Sequence, residues 1–134
     1  MDGWMPSQAG RLILPNTLHT QHFKPKPEVY DMIWIQGCVG HLHDVDLLDF
    51  LSRMKAALKP GGMICLKDNC CEQGVDFVVD KDDSSLTRST AYLKALFKMA
   101  HFECRIEEKQ VGFPEDLFPV VMFAFAPMTN VEEP

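Results

Sequence analysis

No hydrophobic run in this sequence approaches the roughly 18 residues needed to cross a bilayer. The start, MDGWMPSQAG, lacks both the basic and the apolar part of a secretory signal, so an intracellular chain with no membrane partner is expected. Basic charge is also scarce: thirteen Lys and Arg stand against nineteen Asp and Glu, a formal net charge of −6. A phosphate-backbone binder carries the opposite sign, so no nucleic acid partner is expected, and an acidic surface suits basic partners better. The five cysteines, Cys38, Cys65, Cys70, Cys71 and Cys104, contain no C-x-x-C pair. An odd number without that spacing makes neither a disulfide framework nor a zinc ribbon. The eight glycines include neither G-x-G-x-G nor G-x-G-x-x-G, which argues against a nicotinamide dehydrogenase with the usual phosphate loop.

What is present is the composition of one ordinary globular domain, with 46% hydrophobic and 24% charged residues. Residues 1–28 mix turn formers, Pro6, Pro15, Pro25 and Pro27 among them, with short apolar pieces, and only Arg11–Leu14 has the pattern of a brief strand. Residues 29–36 (VYDMIWIQ) are apolar, aromatic or β-branched on both parities, the pattern of a central parallel strand covered on both faces. Asp44 suits a helix N-cap, and Leu47, Leu48, Leu51, Met54 and Leu58 recur at helical spacing until Pro60-Gly61-Gly62 ends the pattern. Residues 63–69 (MICLKDN) form a second strand in which Cys65 reads as a buried thiol. Strand, helix and strand in this order make a right-handed crossover with parallel strands, hence an α/β sheet.

A polar, acidic loop then leads to Ser84 and Ser85, either of which suits an N-cap, and to a second helix with Tyr92, Leu93, Leu96, Phe97 and Ala100 on one stripe. Residues 104–111 and 120–126 are strand-like and separated by eight residues, too few for a crossover, so the last strand returns antiparallel. In open parallel sheets ligands sit beyond the carboxyl ends of the strands. Here those ends carry Gln36, His41 and His43 on one strand and Asp68 and Asn69 on the other, side chains able to hydrogen-bond or take a proton.

The Lys59-Pro60-Gly61-Gly62 turn between a helix and a strand resembles that of Rossmann-like S-adenosylmethionine-dependent methyltransferases. The series YDMIWIQGCVGHL, DLLDFLSRMKAALKPGG, KDN, DSS and FPVVMFAF sharpens the likeness. It is similar to the carboxyl-terminal half of the α-N-terminal protein methyltransferases, which methylate the free α-amino group of proteins beginning Xaa-Pro-Lys. The resemblance implies a class I methyltransferase fold without its amino-terminal strands and with the last strand antiparallel. It divides the chain into a divergent start (1–20), a partial methyltransferase domain (21–127) and a tail (128–134). S-adenosylmethionine is the implied cofactor, an Xaa-Pro-Lys N-terminus the implied partner, and nucleus and cytoplasm the implied compartments.

By the same resemblance Asp83 and His41 match the acid/base positions, and Asn69 matches the residue that hydrogen-bonds the substrate's amino end. Asp80 and Ser85 match peptide contacts, and Gln36 and Gln21 match cofactor contacts. Gly37 stands where the family usually has a tryptophan of the peptide channel, and Phe118 where a tyrosine is common. No metal site is expected: His41-x-His43 lacks further ligands at metal spacing, and a calcium loop begun at Asp80 would need Gly at Ser85 and Glu at Ala91. The family's glycine-rich loop and ribose-binding acid have no counterpart, so a non-catalytic relative acting as a binding module or partner is the alternative. With its neighbours absent, the strand at 29–36 is expected to expose an apolar edge, to be covered by an oligomer or partner chain.

Overall fold

In the computed structural model, which describes residues 5–6, 11–14, 27–37, 39–71, 74–110 and 118–128, the chain builds one mixed sheet with two helices on one face. Gln21 and Cys38 lie outside the described residues. The strands are β1 (Met5–Pro6), β2 (Arg11–Leu14), β3 (Tyr30–Gln36), β4 (Leu58–Asn69), β5 (Phe77–Val79), β6 (Leu86–Arg88), β7 (Phe102–Lys109) and β8 (Val120–Pro127). The helices are α1 (Asp44–Ala57) and α2 (Thr90–Met99), and a 3-10 turn spans Val39–His41. The sheet order is β1-β2-β3-β4-β8-β7, and β5 and β6 form a separate hairpin. β2, β3 and β4 run parallel, and β8 returns antiparallel between β4 and β7. The short final connection therefore does reverse the chain, as its length requires.

The core is built by the two helical stripes. Leu47, Phe50, Leu51 and Met54 of α1, and Leu93, Leu96 and Phe97 of α2, pack on Ile33, Ile35, Ile64, Leu66, Phe123 and Phe125 of the sheet. Phe97 stacks on Phe125 at 3.7 Å between centroids and meets Phe102 edge-on at 5.9 Å, geometries that add to plain area burial. α1 ends where Glu28 and Val29 donate their N–H groups to the carbonyls of Ala56 and Ala57. β4 then starts directly at Leu58, earlier than the glycine pair implies. Lys59–Gly62 leave the ladder, so Tyr30 pairs with Leu58 but Met32 with Met63.

Several expectations are corrected. β3 is buried on one face only: Ile33 and Ile35 are inaccessible, while Met32 and Trp34 on the other face remain half-buried. Its edge is not unpaired, because Arg11–Leu14 lies parallel against Met32–Ile35 and supplies the ladder partners. The acidic loop is a hairpin, since three-residue strands flank the charged turn. α2 is consequently capped by Ser89, whose hydroxyl accepts from the Tyr92 N–H at 3.0 Å, and not by Ser84 or Ser85. α1 has His43 at its N-cap without a side-chain bond, which frees the Asp44 carboxylate for longer-range contacts. Cys65 is half-buried, on the side of the sheet away from the helices, whereas Cys70 and Cys71 are buried. No described helix is long and apolar enough to cross a membrane.

Candidate active site

Three chain segments meet beyond the carboxyl ends of β3 and β4. The first is the end of β3 with its following turn. Trp34 donates its indole N–H to Gln36 Oε1 at 3.0 Å, which fixes the amide of Gln36 at the strand end. Gly37 follows with φ +71°, a left-handed conformation that glycine adopts without penalty. The Val39–His41 turn then carries the exposed His41 over the end of the sheet.

The second segment is the end of β4. Asn69 is exposed, and Asp68 beside it is largely withdrawn from water. One Asp68 oxygen accepts the Asn69 N–H at 2.8 Å, and the other is buried with no hydrogen-bond partner among the described residues. Burial pushes the Asp68 carboxyl up, against the opposing pull of the Asn69 and Val39 backbone dipoles and of Arg88 and His41. A cleft of about 270 Å³ is lined by Gln36, Gly37, Lys67, Asp68, Asn69 and Val120. A smaller crevice, shared through Asp68 and Asn69, runs under Gly40, Leu86 and Arg88.

The third segment is the β5–β6 hairpin. Its turn closes with Asp80 N–H to the Ser85 carbonyl at 2.9 Å and Ser84 N–H to the Asp80 carbonyl at 2.8 Å. Ser84 takes φ +61° to make that turn, a strained conformation for a residue with a side chain. Asp80 accepts the Asp82 N–H at 2.8 Å, and Asp83 accepts the Ser85 N–H at 2.9 Å. Hydrogen bonds from the Ser85 backbone and side chain, reinforced by the charge of His41, hold the exposed Asp83 carboxyl below its ordinary range.

The charge of His41 acts on both Asp83 and Asp68, as a minor influence on each. Asn69, Gln36 and Gly37 share the adjoining cleft. Asp80 and Ser85 shape the hairpin turn, and Phe118 is exposed just before the Pro119 carbonyl that accepts the Cys70 N–H. Gln21 is outside the described residues, and no group of three metal-ligating side chains occurs among them. Sequence reasoning gave no role to Arg88, which is 2% exposed and touches the turn, the hairpin and α1 together. The only signal for it was an arginine one residue ahead of a helix N-cap.

A family model described as AdoMet-dependent proline di-methyltransferase matches residues 10–126. The α-N-terminal protein methyltransferase 1 of Dictyostelium discoideum is 46% identical over 95 residues, 71% of this chain and 34% of that protein. Its namesake from Schizosaccharomyces pombe is 43% identical over 110 residues, 82% of this chain and 49% of that protein. Among solved structures, a SAM-dependent methyltransferase from Leishmania major superposes with a TM-score of 0.73 at 38% identity, over 80% of this chain and 42% of the other. A Burkholderia thailandensis N-methyltransferase superposes with a TM-score of 0.70 at 16% identity, over 82% of this chain and 48% of the other, a likeness of fold. The chain spans less than half the length of these curated relatives. With a family model over most of its length and relatives above 40% identity, the chain belongs to the α-N-terminal protein methyltransferase family.

Proposed function

We propose that this chain carries the amine-binding half of an S-adenosylmethionine-dependent methyltransferase site that acts on the free α-amino group of proteins beginning Xaa-Pro-Lys. What supports this reading is that the charge of His41 acts on Asp83, and that the turn and the hairpin bearing them line one crevice with Asn69 at the carboxyl end of β4. An α-amino group has a pKa of about 7.7–8.0 and arrives mostly as an ammonium, which cannot accept a methyl group until it loses a proton. Asp83, held ionised, attracts that ammonium together with Asp80 and the neighbouring acidic turn. His41 takes the proton, and the Asn69 amide orients the freed lone pair. The basic Lys of the substrate suits the same acidic hairpin.

For the cofactor, the residues described fit one edge. Gln36, locked by Trp34 at the rim of the cleft, offers a fixed amide to S-adenosylmethionine, with Gln21 as a second contact by resemblance. The cleft, at about 270 Å³, is below the usual size of a complete small-molecule site, roughly 300–1,000 Å³. S-adenosylmethionine, when bound, supplies an electrophilic methyl group; the chain's own part is to bind, orient and deprotonate the amine. Nucleus and cytoplasm are the compartments this reading carries, and imaging of the tagged chain checks them.

The test is titration of the chain with a peptide beginning Xaa-Pro-Lys and with its N-acetylated twin, followed by transfer of labelled methyl from S-adenosylmethionine. The free-amine peptide binds, and the acetylated one binds at least tenfold more weakly. His41→Asn lowers transfer by roughly 10²-fold or more, the size of a lost acid/base group, and Asp83→Asn weakens binding of the free-amine peptide. Equal affinity for the two peptides overturns the amine site; binding without transfer leaves the binding-module alternative.

A further inference from the structure

Arg88 is the only charged residue among those described that is buried, and each of its three guanidinium nitrogens donates a hydrogen bond. Nη1 donates to the Val39 carbonyl at 3.0 Å and Nη2 to the Leu42 carbonyl at 2.6 Å. Nη2 and Nε also donate to Asp44 Oδ1, at 2.9 and 3.2 Å. Val39 and Leu42 bracket Gly40 and His41, so one side chain grips the His41 turn from both of its ends. The same residue closes strand β6, whose hairpin turn holds Asp83, and its own carbonyl accepts the Cys71 N–H at 3.1 Å, two residues beyond Asn69. Tyr92 of α2 donates to the second Asp44 oxygen and braces the ion pair from the far side.

A second contact locks the same two elements. A Cβ on Gly40 would lie 2.6 Å from the Leu86 carbonyl oxygen, so the turn and the hairpin approach as closely as a glycine allows. From the fork and this close approach together, we propose that Arg88 is a positioning residue that fixes the His41 turn against the Asp83 hairpin and thereby sets the spacing of the two groups. Its purpose in catalysis rests on the function proposed above; its mechanical role does not. Arginine suits the task because a planar fork with five donors reaches three separate acceptors at once, whereas a lysine ammonium is a single point of charge.

The experiment uses the full chain with 13C-labelled histidine, the His41 ring signal being assigned through His41→Gln. At one fixed pH the His41 ring resonance is recorded with and without Asp83→Asn, in the wild type, in Arg88→Lys and in Gly40→Ala. Asp83→Asn moves the resonance in the wild type, and that movement is lost in both variants while circular dichroism shows the fold retained. If Arg88→Lys does not fold, the pair Asp44→Leu with Arg88→Met, which leaves no buried charge unpaired, replaces it. An undiminished movement in a folded Arg88 variant, or none in the wild type, overturns the positioning role. Peptide binding and transfer separate the two readings. Lost coupling in Arg88→Lys beside a wild type that binds the free-amine and acetylated peptides alike supports the clasp and overturns the function. Undiminished coupling with normal transfer overturns the clasp and keeps the function.

Discussion

Asp44→Ala tests whether the ion pair at the start of α1 holds the site together. The Asp44 carboxylate accepts from Arg88 at 2.9 and 3.2 Å and from the Tyr92 hydroxyl. The Arg88 side chain is 1% exposed and that of Asp44 37% exposed, so the substitution strands a cation that water cannot reach. Removing one partner of a buried pair costs about 3–5 kcal/mol, and the partly wet Asp44 end brings the figure to the low limit, about 3 kcal/mol. Arg88→Met orphans the Leu42 carbonyl, leaves the Val39 carbonyl with only the Leu42 N–H at 3.1 Å, and strips Asp44 of its partner, again about 3 kcal/mol in total. The double variant buries no unpaired charge and keeps only the orphaned Leu42 carbonyl and the lost packing. It therefore loses about 3 kcal/mol, well short of the sum of the single losses, a coupling of about 3 kcal/mol. Urea melts at pH 7 on the three variants and the wild type measure this directly. Additive losses, with a coupling under about 0.5 kcal/mol, would falsify the account, because the pair would then contribute nothing as a pair.

Three further outcomes follow from the same structure. The hydrogen bond to the Asp44 carboxylate, and then burial, raise the Tyr92 phenol above its ordinary value. The stability it contributes is therefore whole below about pH 10 and lost as pH rises through the raised value, and Asp44→Ala moves its ultraviolet titration downward. Asp68 is a carboxyl raised by burial, so it weakens the wild type progressively as pH climbs from its unfolded value of 3.8 through the raised one. The stability of Asp68→Asn relative to wild type should increase over that interval and then level off, as read from urea midpoints against pH; a flat or falling difference refutes it. Phe97→Ala removes an inaccessible ring stacked at 3.7 Å on Phe125 and lowers stability by about 3–5 kcal/mol in the same assay.

The helices and the antiparallel return were legible in the sequence because each rests on local spacing. Leu47, Leu51 and Met54, and Leu93, Leu96 and Phe97, repeat at three and four residues, and all are buried. The β5–β6 hairpin was not legible, because each strand has only three residues and Phe77, Val78 and Val79 are exposed, so no burial period exists to detect. Arg88 was hidden for another reason: its partners lie 44 to 49 positions away in the chain. The stretch RLIL could be read as a strand, but its partner could not, since a parallel pairing leaves no local mark. The both-parity apolar pattern of β3 was read as two covered faces, yet only the helix-facing parity is buried, because both α1 and α2 lie on that side. His41 and Asn69 were marked by their place at the strand ends and then by family likeness, and Asp83 by family likeness alone. What the fold adds is the spatial reason for grouping them, the turn and hairpin that bring them to one end of the sheet.

Two carboxyls that feel the charge of His41 are pushed in opposite directions. Asp83 is open to solvent and satisfied by Ser85, which holds its proton affinity low. Asp68 is withdrawn from water with one oxygen unpartnered, which holds its proton affinity high. A carboxylate that never binds a proton near neutral pH can hold an ammonium but is a poor acceptor for the proton that ammonium must shed. The low affinity of Asp83 therefore suits it to hold the charge, while a separate group, His41, takes the proton. On this reading Asp83→Asn weakens the grip on the free amine, and a peptide titration loses its preference over the acetylated twin. His41→Asn leaves that preference and removes the transfer. If both substitutions moved binding and transfer in parallel, the division of labour between Asp83 and His41 would be wrong.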